Sequence, residues 1–152
     1  MKQIKTKGFT LIEVLLVIAI LAILAAVVIV AINPGKQLSE AQNAQRRSDV
    51  RAILDAVHQY AIDNQGTYPA DIPSGADCSN EGVVICKSAV SCDGGINLDN
   101  LILDETYLTD LPSDPTTATA ETTGYYIYKN GSERIGVCAP GAYGNDEIIV
   151  IR

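Results

Sequence analysis

The chain opens with an uninterrupted apolar run. Between residues 9 and 32 the one ionisable side chain is Glu13. At a rise of about 1.5 Å per residue, a helix over this run would be about 36 Å long, which is enough to cross the hydrocarbon core of a bilayer. The pattern therefore predicts a transmembrane helix over residues 9–32.

A second helical pattern follows a break at Asn33-Pro34-Gly35. Proline removes a backbone donor and disfavours helix in the residue before it, so we expect the helix to kink or open there. Over residues 33–65 apolar residues then return at spacings of three and four, which predicts an amphipathic continuation that ends at Gly66. One face would dock on a sheet, and another would form a polar ridge for solvent or neighbouring subunits. The apolar stripe is Val50, Ile53, Leu54, Val57, Tyr60 and Ala61, and the ridge is Arg47, Arg51, Asp55, Gln59 and Asp63.

The rest of the sequence changes from loop-like to strand-like composition. Residues 66–123 are rich in Pro, Gly, Asp, Ser and Thr, which favours a long loop with short structured pieces such as a strand at Val83-Val84-Ile85. Residues 124–152 contain three strand-like runs, and Asn130-Gly131 between the first two is a hairpin signal because both residues tolerate positive φ. We expect an α+β fold in which the long helix packs on a small antiparallel sheet of three or four strands.

The carboxylate of Glu13 requires a partner. An isolated carboxylate in a membrane helix costs on the order of a few kcal/mol unless it is paired or hydrated. If the chain were cut after Gly8, the new amine of Phe9 would lie one helical turn from Glu13. The three lysines within residues 2–7 form a basic tail of the kind that remains in the cytoplasm. The sequence therefore indicates cleavage ahead of the apolar helix, which leaves that helix attached.

The residues around this bond resemble the type IV prepilin family, which includes the pseudopilins of type II secretion. The resemblance rests on the short basic leader, Gly8, the run Phe9-Thr10-Leu11-Ile12-Glu13 and the apolar segment. It implies removal of residues 1–8 by a prepilin peptidase, N-methylation of Phe9 and a pilin-like fold. It also implies that Glu13 meets the Phe9 amine of an adjacent subunit and so sets the register of a filament.

The same resemblance implies where the chain goes and what it meets. It predicts a single pass through the cytoplasmic membrane with the soluble domain outside, followed by an extracellular or periplasmic filament. The implied partners are other copies of the chain, the prepilin peptidase and methyltransferase, an assembly platform protein and an assembly ATPase. We expect a structural pilin subunit rather than an enzyme, because no recognisable set of nucleophile, base and orienting group occurs.

Several alternatives stay open at this point. The chain could be a pseudopilin of a type II secretion system, a minor tip subunit or a membrane-anchored binding module. Residues 66–69 and 107–115 resemble motifs of pseudopilins and related pilins, but Thr116 stands where major pseudopilins usually carry an aromatic residue. A simple signal anchor and a cleaved signal peptide are the remaining alternatives, and Ala31-Ile32-Asn33-Pro34 is a poor cleavage site for the latter.

The cysteines all follow the apolar run, which the leader lysines would place outside the cytoplasm. Disulfides are then the expected state. No Cys-x-x-Cys pair occurs and His58 is the only histidine, so a zinc or thioredoxin-like site is poorly supported. We expect His58 at the surface or boundary of the fold. Three pairings are open, and we favour one bridge within residues 78–92 and one from there to residue 138. The four are Cys78, Cys86, Cys92 and Cys138.

Charge and acidic loops limit the remaining chemistry. The chain has a net charge of -7, and after residue 70 it holds thirteen acids against four bases, so we expect no nucleic acid binding through a basic patch. We expect no cofactor, with calcium as the one candidate ion, since hard cations take oxygen ligands from acidic loops. No EF-hand spacing occurs. The candidate ligands are Asp110, Asp114, Asp146 and Glu147.

Overall fold

The computed structural model describes residues 8–75, 78 and 82–152. The chain divides into two compact units, Met1–Leu38 and Ser39–Arg152. The first unit contains the apolar helix, and the second contains the sheet with its own core.

The first helix, α1, spans Leu11–Ile32. Thr10 is its N-cap in an extended conformation, so Phe9 precedes the helix, although the predicted segment began at residue 9. The helix ends at Ile32, and its C-cap is Asn33, whose φ of 42° and ψ of 76° place it in the left-handed region. Pro34 is then the first residue of the next helix, where proline loses no hydrogen bond. The predicted break is therefore an interruption of the helix at Asn33.

The second helix, α2, spans Pro34–Asp63 and buries the predicted apolar stripe. Its stripe residues are almost fully buried, apart from Tyr60, which is partly buried. The amide of Gly66 donates to the Ala61 carbonyl at 2.7 Å, and Gln65 has a φ of 58°. This is a Schellman-type ending in which the first left-handed residue is Gln65, one position before the predicted glycine.

Four antiparallel strands form one sheet in the order β1-β2-β3-β4. Their bounds are Val83–Cys86 for β1, Thr122–Lys129 for β2, Ile135–Ala139 for β3 and Ile148–Ile151 for β4. Two short 3₁₀ helices, Asp99–Leu101 and Leu103–Glu105, lie between β1 and β2. The sheet is thus not confined to residues 124–152, because the short apolar piece in the predicted loop pairs with β2 through Val83 and Ile127.

The two faces of the sheet have different cores. Tyr125, Ile127 and Val137 lie in one buried cluster with the apolar stripe of α2. On the opposite face, Tyr128 packs with the Cys78–Cys138 pair in a second, smaller cluster. The α+β architecture with the helix packed on an antiparallel sheet is confirmed.

Substituting Gly136 tests the packing of the second cluster. Gly136 is paired with Tyr128 across β2 and β3, and an added Cβ would lie less than 3.0 Å from the Tyr128 ring, which is 2% exposed. We expect Gly136→Ala to lower the free energy of unfolding by about 1–3 kcal/mol through overpacking. Urea denaturation of the disulfide-intact protein measures this change. Gly131→Ala is the matched control, because a Cβ there meets nothing within 4 Å; equal stability of both variants would contradict the packing argument.

Candidate functional site

The surface of α1 is apolar and uncovered. None of its residues is buried, and side chains along its length are largely exposed, such as Ile23 at 66% and Val30 at 83%. Soluble monomers rarely expose apolar patches of more than a few hundred Å². Within the described part of the chain, α1 is the one helix with the length and composition to span a membrane. This surface needs lipid or other helices to cover it.

Glu13 lies in the first turn of α1 with its side chain exposed. Its backbone amide donates to Thr10 Oγ1 at 3.3 Å, which satisfies one of the free donors of the first turn. A carboxylate at this end of a helix is also favoured by the helix dipole. Phe9 is 80% exposed and precedes the extended cap residue Thr10, so it does not share a helical turn with Glu13.

The processing site is described only in part. Gly8 is exposed, as a bond offered to a peptidase must be, whereas the leader lysines lie outside the described residues. The amine of Phe9 exists only after cleavage. The cleavage after Gly8, the methylation of Phe9 and the pairing of Phe9 with Glu13 therefore stay predictions.

The four cysteines form two disulfides, Cys78–Cys138 and Cys86–Cys92, with Cα–Cα distances of 6.3 and 5.5 Å. This pairing has the form favoured from the sequence: one bridge lies within residues 78–92, and the other reaches residue 138. In a chain-entropy account the first, with a sequence separation of 60, contributes about 4 kcal/mol, and the second, with a separation of 6, contributes about 2 kcal/mol. The first ties a loop residue to β3, and the second holds the end of β1.

The four candidate calcium ligands lie in different environments. Asp114 is buried against Arg46, and Asp146 is exposed and bonded to Arg47 Nη2 at 2.6 Å. Asp110 accepts a hydrogen bond from Ser88, while Glu147 is exposed beside Asp146. No group of three or more His, Cys, Asp or Glu side chains within the described ranges is placed to hold a metal ion. Calcium binding stays a prediction.

A buried ion pair, which we did not predict, joins α2 to the loop before β2. Arg46 is 1% exposed and Asp114 is 3% exposed. Arg46 Nε and Nη2 donate to the two carboxylate oxygens of Asp114 at 2.6 and 3.1 Å, and Nη1 donates to Asn43 Oδ1 at 3.0 Å. This bidentate geometry is the strong form of a charge-assisted hydrogen bond.

The environment of Asp114 keeps the carboxylate ionised. Burial by itself raises the pKa of Asp114, but hydrogen bonds from the Arg46 guanidinium and from the amides of Thr116 and Thr117 outweigh burial and hold the pKa well below its usual range. Both amides lie 2.8 Å from Asp114 Oδ1. The loop is therefore fixed to the helix by one fully satisfied charge.

A second polar contact lies one turn along α2. The Tyr125 hydroxyl of β2 donates to Asp49 Oδ2 at 2.7 Å, and both residues are buried. Burial, followed by the contact with the Asp49 carboxylate, raises the pKa of Tyr125 and keeps the hydroxyl protonated as a donor. The sequence carries one signal for these contacts: Asn43, Arg46 and Asp49 lie in helical register with Val50 on the buried stripe.

His58 has the boundary position expected of it. It is partly exposed, and its ring meets Tyr68 edge-on at a centroid distance of 6.5 Å. Its Nε2 has no hydrogen-bond partner in the described part of the chain.

Comparison with known families matches the amino-terminal segment. A family profile described as the prokaryotic N-terminal methylation motif matches residues 4–29. The chain carries the signature of type IV prepilins and pseudopilins. This prepilin signature covers Gly8, Phe9, Glu13 and most of α1, and it points to a structural protein rather than an enzyme. It fits membrane anchoring through α1 before assembly into a filament. Neither the comparison with curated proteins nor that with solved structures gives a match.

Replacing Asp114 tests the buried ion pair in the unit Ser39–Arg152. We expect Asp114→Asn to lower the free energy of unfolding at pH 7 by about 3–5 kcal/mol, because the buried Arg46 charge loses its counter-ion. Asp55→Asn is the control, since its exposed pair with Arg152 should contribute about 0–1 kcal/mol. Urea denaturation measures both changes.

The difference between wild type and Asp114→Asn should also depend on pH. The folded pKa of Asp114 lies below the unfolded value of about 3.9, so the stability it contributes is present above that value and is lost as the pH falls through the folded pKa. We therefore expect the difference to shrink as the pH is lowered from about 5 towards 2. A constant difference over this range would contradict the assignment.

Proposed function

We propose that this chain is a structural pilin subunit that is cut after Gly8, methylated at Phe9 and polymerised into a type IV pilus-like filament. The observation that carries the proposal is α1, a 22-residue apolar helix with no buried residue in a chain that carries the prepilin signature. The unit from Ser39 to Arg152 has a complete core of its own, which frees α1 for another role.

Storage and assembly use the same surface of α1. As a monomer the helix dissolves in lipid, and as a polymer it packs in a bundle of like helices. Both environments are apolar, so transfer between them need not expose the helix to water. The chain would therefore act through the packing of α1 and not through catalysis.

Glu13 would give neighbouring subunits a preferred register, which apolar packing alone does not provide. In a filament core, a subunit in the correct register places Glu13 against the Phe9 amine of its neighbour. A misplaced subunit leaves a charge unpaired in a dry environment, which costs several kcal/mol. The single carboxylate thus favours one register over the many that an apolar helix would accept.

Thr116 favours a pilus subunit over a major pseudopilin. It occupies the position at which major pseudopilins usually have an aromatic side chain. Here its hydroxyl bonds to both members of the buried ion pair, Arg46 and Asp114, so it belongs to the polar network that holds the loop. An aromatic side chain could not make these two contacts.

Mass spectrometry of the amino-terminal peptide tests the proposal directly. We expect N-methylated Phe9 as the terminal residue, in abundance, in a sheared cell-surface fraction. Washed membranes provide the comparison. Processed protein confined to membranes would favour a secretion pseudopilin instead, and an uncut Met1 terminus would overturn the prepilin interpretation.

Glu13→Ala separates membrane insertion from assembly. We expect the variant to insert and to keep both disulfides, but to yield at least about tenfold less sheared filament, because the Phe9 amine loses its partner in the filament core. Leu16→Ala is the control, since it truncates a neighbouring α1 side chain without removing a charge. Normal filament yield from Glu13→Ala would refute the pairing of Phe9 and Glu13.

A further inference from the structure

Among the described residues, no strand pairs with the outer edge of β4. Ile135 and Arg152 exchange main-chain hydrogen bonds at 3.1 and 3.0 Å. Because the direction of such bonds alternates along an antiparallel ladder, residues 148, 150 and 152 turn their main-chain groups towards β3, and Ile149 and Ile151 turn theirs outward. No described residue forms a main-chain hydrogen bond with these outward groups.

The opposite edge of the same sheet is covered. The Cys86 amide donates to the Ile96 carbonyl, and the Ile96 amide donates to the Val84 carbonyl, both at 2.9 Å. Proteins commonly protect open edges with proline, lysine or a bulge. The four residues of β4 are all aliphatic and include none of these devices, and Ile151 is 45% exposed. This edge is therefore suited to accept another strand.

The charges at the ends of β4 indicate what that strand is. Asp146 and Glu147 precede β4, and Arg152 follows it. An antiparallel neighbour with matching charge must carry its base opposite Asp146 and its acid opposite Arg152. A second copy of this chain meets that requirement, because antiparallel pairing brings the start of one β4 to the end of the other.

We propose that β4 pairs antiparallel with β4 of a second copy of this chain, in a register that places Ile149 opposite its own equivalent. This register uses the outward groups of Ile149 and Ile151 in both copies, and it sets Asp146 opposite Arg152 twice. The two four-stranded sheets then form one continuous sheet with a two-fold axis at its centre.

Neighbouring charges on α2 support this register. Asp146 is bonded to Arg47, and Arg152 is bonded to Asp55 in the same chain. Side chains two residues apart lie on one face of a strand, so Asp146 and Arg152 both lie on the α2 side of the sheet. Pairing two copies therefore forms a row of four charges of alternating sign. In order, the row is Arg47 and Asp146 of one copy, then Arg152 and Asp55 of the second copy. Each inner charge gains an opposite neighbour on both sides.

Thiol cross-linking of the full chain in membranes tests the register. The proposed pairing places residue 147 opposite residue 151 of the other copy. A mixture of chains that carry Glu147→Cys or Ile151→Cys should form a covalent dimer with a short bismaleimide, whereas either chain alone should stay monomeric. The described cysteines of the native chain are all in disulfides and do not react. A non-reducing peptide map checks that both native bridges are intact.

A charge reversal tests the ionic part. Arg152→Glu should strongly reduce the mixed dimer. The new carboxylate would lie opposite Asp146 of the other copy and beside Asp55 of its own chain, so that like charges repel. Lys87→Glu makes the same change in charge beyond the opposite edge of the sheet and should leave the dimer unchanged.

The proposal is overturned if the mixture gives no more dimer than the single variants, if residue 151 cross-links to itself, or if the covalent partner is a different protein. These results do not depend on filament formation, so the proposed function can fail or stand separately.

Discussion

Covering the apolar surface of α1 is the constraint on which the rest of the molecule depends. Fully burying one Leu, Ile or Val side chain is worth about 1.5–3 kcal/mol, so a helix built almost entirely of such residues represents tens of kcal/mol. The net stability of a typical domain is only about 5–15 kcal/mol. What covers α1 therefore determines whether the chain is a membrane-bound monomer or part of a larger assembly. In the function proposed above, lipid covers α1 in the monomer and other copies of α1 cover it in the filament.

The unit Ser39–Arg152 has a core that contains no residue of α1. Its apolar cluster lies between α2 and the sheet, and the two disulfides limit the unfolded chain. The Arg46–Asp114 pair has a different role, because a buried ion pair is often no more stabilising than apolar residues of the same volume. The pair determines where the loop lies. Only one placement of the loop lets Arg46 bond to both carboxylate oxygens of Asp114, so the start of β2 is fixed relative to α2.

Local patterns in the sequence were sufficient for the elements but not for the contacts between them. The apolar stripe from Val50 to Ala61 expresses a helical period that depends only on neighbouring residues. The hairpin between β2 and β3 also forms as predicted, but its left-handed residue is Glu133, with a φ of 61°, and neither Asn130 nor Gly131 has a positive φ. The ion pair joins residues 68 positions apart, and no local rule connects them. Arg46 nevertheless falls in register with the buried stripe, and a charge in that register signals a buried partner. The identity of the partner requires the fold, and so does the pairing of β1 with β2.

In the assemblies proposed for this chain, apolar contact and charge would have different roles. Hydrophobic burial is non-directional and roughly proportional to area, so a helix such as α1 slides or rotates against its neighbours at little cost. An ion pair is short-ranged and is lost when partners shift by one residue, so it selects a register while adding little net affinity. Glu13 would act in this way in the apolar bundle, and Asp146 with Arg152 would do so beside the aliphatic β4. In both proposed contacts, a few charges beside a large apolar surface would select one arrangement among many that bury similar apolar areas.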